Sequence, residues 1–223
     1  MAVEKKKRRW PPHFIRRCFV LLVGLCFMGA GVAFTIRANL GTSPLSSLPY
    51  VISLLVDKIS IGTATVCLHA LFILLQLIIL RKKFDPFYIL QLPVAIAFGY
   101  LTDLFNFLFQ DINPNTYWQR CLLCVVGVLF CSFGVALEVM SRTFIMPAEG
   151  LIYAIADVAH AKFTTVKVIF DVSMVVIAFL VGFIATGGLV GVREGTIFAA
   201  VFTGILCEQH LKYLRNFERA FLM

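Results

Sequence analysis

Charged residues are scarce in this chain of 223 residues. Asp, Glu, Lys and Arg make up 14% of it, whereas about 25% is usual for soluble domains. Apolar residues make up 60% and collect in long uncharged runs. One ordinary core cannot hold that much apolar surface, so the bilayer must take the rest. The composition excludes a soluble globular protein and predicts a polytopic membrane protein whose main partner is the lipid bilayer.

Acidic residues are scarcer than basic ones, with 12 Asp and Glu against 20 Lys and Arg and a net charge of +8. A basic cluster directly before the first apolar run retains an N-terminus in the cytoplasm, which favours a topological role over nucleic-acid binding. We predict a basic cytoplasmic segment at 1–17, a cytoplasmic tail at 211–223, and a bacterial inner-membrane location. The basic residues of the first segment are Lys5, Lys6, Lys7, Arg8, Arg9, Arg16 and Arg17.

Catalytic signatures are also lacking. The sequence contains no HExxH, no GxSxG elbow, no P-loop and no pair of CxxC clusters. Its seven cysteines are odd in number and lie in or beside apolar runs, and Cys121-x-x-Cys124 has no second half. We therefore expect no disulfide framework, no metal, no cofactor and no enzymatic activity. An intramembrane enzyme built from dispersed residues is the weakest functional hypothesis.

Long apolar runs define the fold class. Six of them approach the roughly 20 residues that cross a bilayer, whereas the apolar segments 44–56 and 147–159 would reach only about 20 Å as helices. Each short segment begins with a proline. We predict an all-α polytopic membrane protein with about six full transmembrane helices and two short Pro-started helices. The distribution of Lys and Arg favours six spans over eight, but leaves eight open. The six runs are 18–36, 59–80, 86–102, 121–137, 172–192 and 195–207.

The membrane domain, residues 18–210, contains an internal repeat. Residues 17–52 align without a gap on 120–155, and 12 of the 36 positions are identical, where chance would give about three or four. We predict two pseudo-symmetric repeats, about 17–107 and 120–210. Three crossings in each half would invert the halves, as in many secondary transporters, whereas an eight-span plan would make them parallel. In either plan the short segments are the best indicators of a site.

Polar residues at the start of the first short segment are candidates for substrate binding. A helix that begins inside the membrane presents unpaired N–H groups to its surroundings. The proline suits the first helical position, and Ser43 is placed to cap the helix. An ordinary loop at the interface is the alternative reading. The candidates from this half are Asn39, Thr42, Ser43, Ser46 and Ser47.

The second half carries charge where the first is polar and neutral. Glu138, Arg142 and Glu149 align with Thr35, Asn39 and Ser46, and they complete the predicted substrate site. Lys167 and Asp171 are predicted to couple ions or to gate. Because Glu138 precedes Arg142 by four residues, as Lys167 precedes Asp171, each pair could instead be an ordinary ion pair at a helix end.

Two functional hypotheses remain from these residues. The preferred one is a small-solute transporter or permease with its site at the interface of the repeats. The competing one is a non-transporting scaffold or regulatory membrane protein, which predicts closed ion pairs and no polar cavity. Formation of a homo-oligomer is left open.

Several short motifs carry a family resemblance. They are RANLGTSPLSSLPYVIS, SIGTATVCLHALFILLQ, FIMPAEGLIYAIAD, KVIFDVS and EGTIFAA. With these motifs, spread over residues 18–207, the chain resembles the YczE/YitT group of bacterial integral membrane proteins. The resemblance implies an all-helical protein of a bacterial cytoplasmic membrane. It implies no substrate and no set of catalytic residues.

Overall fold

The structure, a computed structural model, describes residues 13–188 and 190–222. These residues form eight α-helices and two short 3-10 helices, Arg81–Lys83 and Pro86–Leu90, with no strand among them. The all-helical prediction is confirmed, whereas most of the predicted basic segment, residues 1–12, lies outside the described residues. The α-helices are α1 (Phe14–Ala38), α2 (Pro44–Leu55), α3 (Ile61–Leu80), α4 (Gln91–Leu108), α5 (Tyr117–Ser141), α6 (Pro147–Ala159), α7 (Phe163–Thr186) and α8 (Glu194–Leu222).

Among the described residues, five helical segments are long and apolar enough to cross a membrane: α1, α3, Phe87–Leu108, α5 and α7. Helix α8 is longer, with 29 residues, but its second half carries several charged side chains. The short helices α2 and α6 have 12 and 13 residues, or about 18 and 20 Å of helix. Both begin at the proline that the sequence indicates.

Helices α1 and α5 pack antiparallel through glycines. A Cβ added to Gly31 would lie 2.6 Å from the backbone nitrogen of Cys131 and 2.7 Å from the carbonyl oxygen of Gly127. A Cβ added to Gly24 would lie 2.9 Å from the carbonyl oxygen of Gly134. Residue numbers therefore rise along one helix as they fall along the other, and the backbones touch at both glycine pairs.

The ends of these two helices correspond. Both bounds of α5 lie 103 residues beyond those of α1. Each helix is followed by a residue in the left-handed conformation, Asn39 with φ 53° and Arg142 with φ 49°. Between the helices, the rings of Phe27 and Phe130, again 103 residues apart, have centroids 5.4 Å from each other.

The short helices pack across the two halves of the chain. Helix α2 packs on α7, and α6 packs on α3. One buried cluster joins Leu68 and Phe72 of α3 to Leu151 of α6 and Met174 of α7, and Leu48 of α2 packs against it. Because each short helix packs on a long helix of the other half, the starts of α2 and α6 both lie in the interior, with Pro44 and Pro147 buried.

Helices α3 and α4 are held together, whereas α7 and α8 are not. The Asp103 carboxylate on α4 accepts hydrogen bonds from the hydroxyl of Ser60 (2.6 Å) and the backbone N–H of Gly62 (2.7 Å) at the start of α3. A Cβ at Gly99 would lie 2.8 Å from the Gly62 carbonyl oxygen. The described residues of α7 and α8 make no extended contact. The residues 103 positions after Gly62 and Gly99 are Thr165 and Phe202, so the second half has no glycine at either position.

Helix α8 continues past the predicted domain boundary at residue 210. It runs without a break to Leu222, whose side chain is buried against Val20, Leu137 and Met140. The Arg17 guanidinium donates to the carbonyl oxygens of Ser141 (3.1 Å) and Leu222 (2.9 Å). The predicted tail is therefore the end of a helix that packs on α1 and α5.

Candidate functional site

A cavity of about 410 Å³ lies where the starts of α2 and α6 meet. Its walls are mostly apolar side chains of α1, α4, α5 and α8, such as Met28, Phe98 and Val135. Six of the ten site residues predicted from the sequence line it: Ser43, Ser46, Glu138, Glu149, Lys167 and Asp171.

Glu138 is the most deeply buried acid of the cavity, with 3% of its surface exposed. Its Oε1 accepts a hydrogen bond of 3.0 Å from the backbone N–H of Met146, the residue before α6. Its Oε2 receives no hydrogen bond from a described donor. The carboxyl groups of Glu138 and Glu149 lie within hydrogen-bonding reach of each other. Glu149 is partly buried, and two carboxylates so close to each other repel unless a proton or a cation lies between them.

Lys167 and Asp171 face this carboxyl pair from α7. The Lys167 ammonium lies 3.4 Å from Asp171 Oδ2, so this ion pair forms as the simpler reading of the spacing predicts. Lys167 is also close enough to Glu138 and Glu149 to act on both electrostatically. Asp171 Oδ1 is buried and has no hydrogen-bond partner among the described groups. The pair therefore leaves acceptor capacity unused at the cavity.

Two further cavity residues that carry a buried polar atom without a described partner were not predicted as site residues. The Nδ1 of His69 on α3 and the Oγ1 of Thr203 on α8 are both buried, and neither has a described hydrogen-bond partner. The sequence marks His69 only as an interior polar residue and gives no signal for Thr203. Of the six buried side-chain atoms without a partner in the described part of the chain, four belong to cavity residues. Unused hydrogen-bonding capacity is thus concentrated here.

The start of α2 is neutral, unlike the start of α6. Ser43 is the N-cap residue, but its hydroxyl donates to the hydroxyl of Ser46 (3.1 Å) and makes no capping bond to a backbone N–H. The predicted position of the N-cap, Ser43, is confirmed, but the cap makes no side-chain hydrogen bond. The start of α2 thus brings hydroxyl groups to the cavity lining, whereas the start of α6 brings the Glu149 carboxyl group.

Three predicted residues of the first half lie outside the cavity lining. The carbonyl of Asn39 accepts a hydrogen bond from Arg193 (3.1 Å), and the buried Ser47 hydroxyl donates to the Pro44 carbonyl (2.6 Å). Thr42 is fully buried, and its hydroxyl has only a long bond to the next carbonyl, at 3.5 Å. The preceding Leu40 carbonyl accepts from the backbone N–H of Gly195 at 2.7 Å. The backbone carbonyls of this polar turn are therefore hydrogen-bonded to residues at the start of α8.

Arg142 also lies outside the cavity lining. It follows the end of α5 in the left-handed conformation, so the helix face that its spacing predicts with Glu138 does not exist. Its guanidinium instead pairs with Glu218 of α8 at 2.8 Å. The predicted Glu138–Arg142 ion pair is wrong, because α5 ends one residue too early to form it.

Metal binding has no support from the geometry. Within 13–188 and 190–222, no group of three or more His, Cys, Asp or Glu side chains is arranged to hold a metal ion. The seven cysteines are free. The chemistry of the cavity is therefore that of carboxyl, ammonium, imidazole and hydroxyl groups against apolar walls.

Comparisons with known proteins identify a family and relatives without an assigned activity. A family model described as "Family of unknown function (DUF6198)" matches residues 15–212. The chain is 25% identical to the uncharacterized protein YyaS of Bacillus subtilis over 201 residues, 90% of this chain and 93% of that protein. It is 23% identical to an uncharacterized protein of Haemophilus influenzae over 196 residues, 87% of this chain and 83% of that protein.

No solved structure matches the chain significantly. The family description and the names of these relatives do not mention the YczE/YitT group. The resemblance to that group therefore stays a prediction.

Proposed function

We propose that this chain, which belongs to the family of unknown function DUF6198, is a small-solute transporter or permease. The observation that carries the proposal is the cavity at the starts of α2 and α6, where buried carboxyl oxygens of Glu138 and Asp171 have no described partner. Buried polar groups are normally hydrogen-bonded, so a cluster of unused acceptors in one cavity indicates a ligand. No enzymatic activity is part of the proposal.

The contacts of α1 and α5 support an inverted repeat. In the alignment of the halves, Gly24 corresponds to Gly127 and Gly31 to Gly134. Gly24 packs on Gly134, while Gly31 packs on Gly127. Each of these glycines of α1 therefore touches the α5 glycine that corresponds to the other one. This is the reciprocal pair of contacts that a two-fold axis produces. Because the helices are antiparallel, that axis would lie in the membrane plane and invert the halves.

The same packing supports six spans. If α1 and α5 cross one bilayer antiparallel, α5 must begin on the side where α1 ends. The chain between them must then cross an even number of times, so only two of α2, α3 and α4 cross. Helix α2, at about 18 Å, is the one too short for the hydrocarbon core. We propose six spans with both termini in the cytoplasm.

The two halves differ in a way that suits alternating access. Helices α3 and α4 are in close contact, whereas their counterparts α7 and α8 make no extended contact in the described part of the chain. Residues of both α7 and α8 line the cavity. Inverted-repeat transporters reach their second state by moving one repeat or bundle against the other. We propose that opening at α3–α4 accompanies closure at α7–α8.

The scaffold hypothesis receives less support. It requires Glu138 and Arg142 to pair, and Arg142 pairs with Glu218 instead. It also requires the absence of a polar cavity between the halves. The Lys167–Asp171 pair fits both hypotheses, since an ion pair at the edge of a cavity can gate it.

Substitution of Glu149 tests the transport function. We expect Glu149→Gln to abolish uptake by proteoliposomes, because it removes one of the two interacting carboxyl groups while keeping the shape of the side chain. The measurement is accumulation of radiolabelled solutes from a panel of amines, amino acids, sugars and nucleosides.

Arg142→Ala is the matched control, and it should keep wild-type uptake because Arg142 is exposed, pairs with Glu218, and does not line the cavity. Absence of uptake of every solute by the wild-type protein would contradict the transport function. Equal uptake by wild type and Glu149→Gln would contradict the site.

A further inference from the structure

We propose that the cavity binds a small organic cation with an apolar body, and that the cation displaces a proton held between Glu138 and Glu149. This inference rests on the proposed function, because it names the solute of the same site. It starts from the juxtaposition of the buried Glu138 carboxyl group, the partly buried Glu149 carboxyl group and an apolar wall in one cavity.

The charges of the cavity favour a cation. Among the described residues that line it, the carboxylic acids are Glu138, Glu149 and Asp171, and the basic residues are Lys167 and His69. Because Lys167 pairs with Asp171 at 3.4 Å, two carboxyl groups remain without a countercharge. A proton or a cation must neutralise at least one of them in an apolar setting.

The hydrogen bonds indicate that the neutralising proton or cation binds at Glu138. Its Oε1 is occupied by the Met146 N–H, but Oε2 has no described donor although the side chain is 97% enclosed, with 3% exposed. The nearest carboxyl group belongs to Glu149, which is an acceptor unless it carries a proton. One shared proton would satisfy both groups in the empty cavity, and an ammonium group would replace it when the solute binds.

The rest of the cavity suits the body of such a solute. Its volume, about 410 Å³, falls within the range of about 300–1,000 Å³ that is common for small-molecule sites. Phe98 and Phe163 supply aromatic surface, which attracts cations, and Met28 and Val32 supply aliphatic surface.

The exchange balances in charge and in protons. One monovalent cation enters the cavity and one proton leaves the carboxyl pair for water, so no covalent bond in the solute forms or breaks. Other titratable groups surround the pair from every neighbouring helix and must be accounted for in the measurement. They are Lys167 and Asp171 of α7, His69 of α3, Cys131 of α5, Tyr153 of α6 and Cys207 of α8.

Three probes with one carbon skeleton test the charge preference. Binding of phenethylammonium, 2-phenylethanol and phenylacetate to the purified full chain is measured by isothermal titration calorimetry. We expect phenethylammonium to bind at least tenfold more tightly than the other two. We also expect its Kd to rise toward tenfold for each unit by which the pH is lowered, while the amine itself stays protonated up to about pH 9.

Variants distinguish binding of the probes at the cavity from their nonspecific binding to protein or detergent. Glu138→Gln and Glu149→Gln should each weaken phenethylammonium binding at least tenfold and remove its pH dependence, whereas Arg142→Ala should leave both unchanged. Using two acid variants keeps the test valid if one fails to fold. Tighter binding of phenylacetate, equal binding of the three probes, or no binding at millimolar concentration overturns the proposal.

Transport assays distinguish this proposal from the function on which it rests. Saturable binding of phenethylammonium without accumulation in proteoliposomes would support the cation site and contradict transport. Accumulation of a neutral or anionic solute, blocked by Glu149→Gln, would support transport and overturn the cation site.

Discussion

Replacing Gly31 with leucine is expected to leave no folded protein in detergent extracts. A Cβ at this position would lie 2.6 Å from both the backbone nitrogen and the sulfur of Cys131. The backbone atoms of Cys131 cannot move without separating α1 from α5. Overpacking a core in which side chains can shift already costs about 1–3 kcal/mol of stability, and here the obstacle includes backbone. Fluorescence-detected size-exclusion chromatography of the solubilised protein measures the loss of the monodisperse peak.

Gly204→Leu is the matched control, because a side chain at Gly204 meets nothing within 4 Å. It makes the same chemical change inside a helix and should retain the peak. Because of the proposed two-fold axis, Gly134→Leu, at the position that corresponds to Gly31, should behave like Gly31→Leu, and a Cβ there would lie 2.6 Å from the Gly24 carbonyl oxygen. A monodisperse Gly31→Leu protein would contradict the tight glycine contact, and a stable Gly134→Leu protein alone would contradict the reciprocity of the two contacts.

The second large effect is expected in the reactivity of two aligned alanines. Ala200 on α8 lines the cavity and is exposed, whereas its counterpart on α4, Ala97, is partly buried beside the α1 core. A thiol reacts with a maleimide as its thiolate, which needs water. We therefore expect Ala200→Cys to be labelled at least tenfold faster than Ala97→Cys by a water-soluble maleimide.

The measurement uses a background in which the seven native cysteines are replaced by alanine, with melting in detergent as a check of folding. If the solute fills the cavity, a bound probe should also slow labelling at Ala200→Cys. Equal labelling rates at the two positions would contradict an open α7–α8 side and a closed α3–α4 side.

The elements of the fold could be predicted because each depends on local sequence. Uncharged runs indicated most of the long helices, and Pro44 and Pro147 marked the starts of the short ones. The run 172–192 located its helix poorly, because α7 begins nine residues earlier, at Phe163, and ends at Thr186. A second exception is instructive. Arg142 stands four residues after Glu138, as a helical ion pair requires, but the chain leaves the helix at Arg142 itself, and spacing alone cannot locate such an end.

The candidate site could be predicted only where the repeat pointed to it. Glu138 and Glu149 stand out because the aligned residues, Thr35 and Ser46, are neutral. Asn39 and Thr42 look equally suitable in sequence, yet their turn packs against the start of α8, some 150 residues later. His69 and Thr203 line the cavity because of how α3 and α8 pack, and helix packing leaves no local pattern in the sequence from which it could be predicted.

The exchange of short helices between the halves has a consequence for biosynthesis. Helix α2 packs on α7, and about 110 residues separate the end of one from the start of the other. At about 5–20 residues per second, α2 waits roughly 5–20 s on the ribosome for its partner. During that time its polar start has no finished cavity around it. The first half should therefore need protection by the insertion machinery, and expressed alone it should be degraded unless the second half is supplied in the same cell.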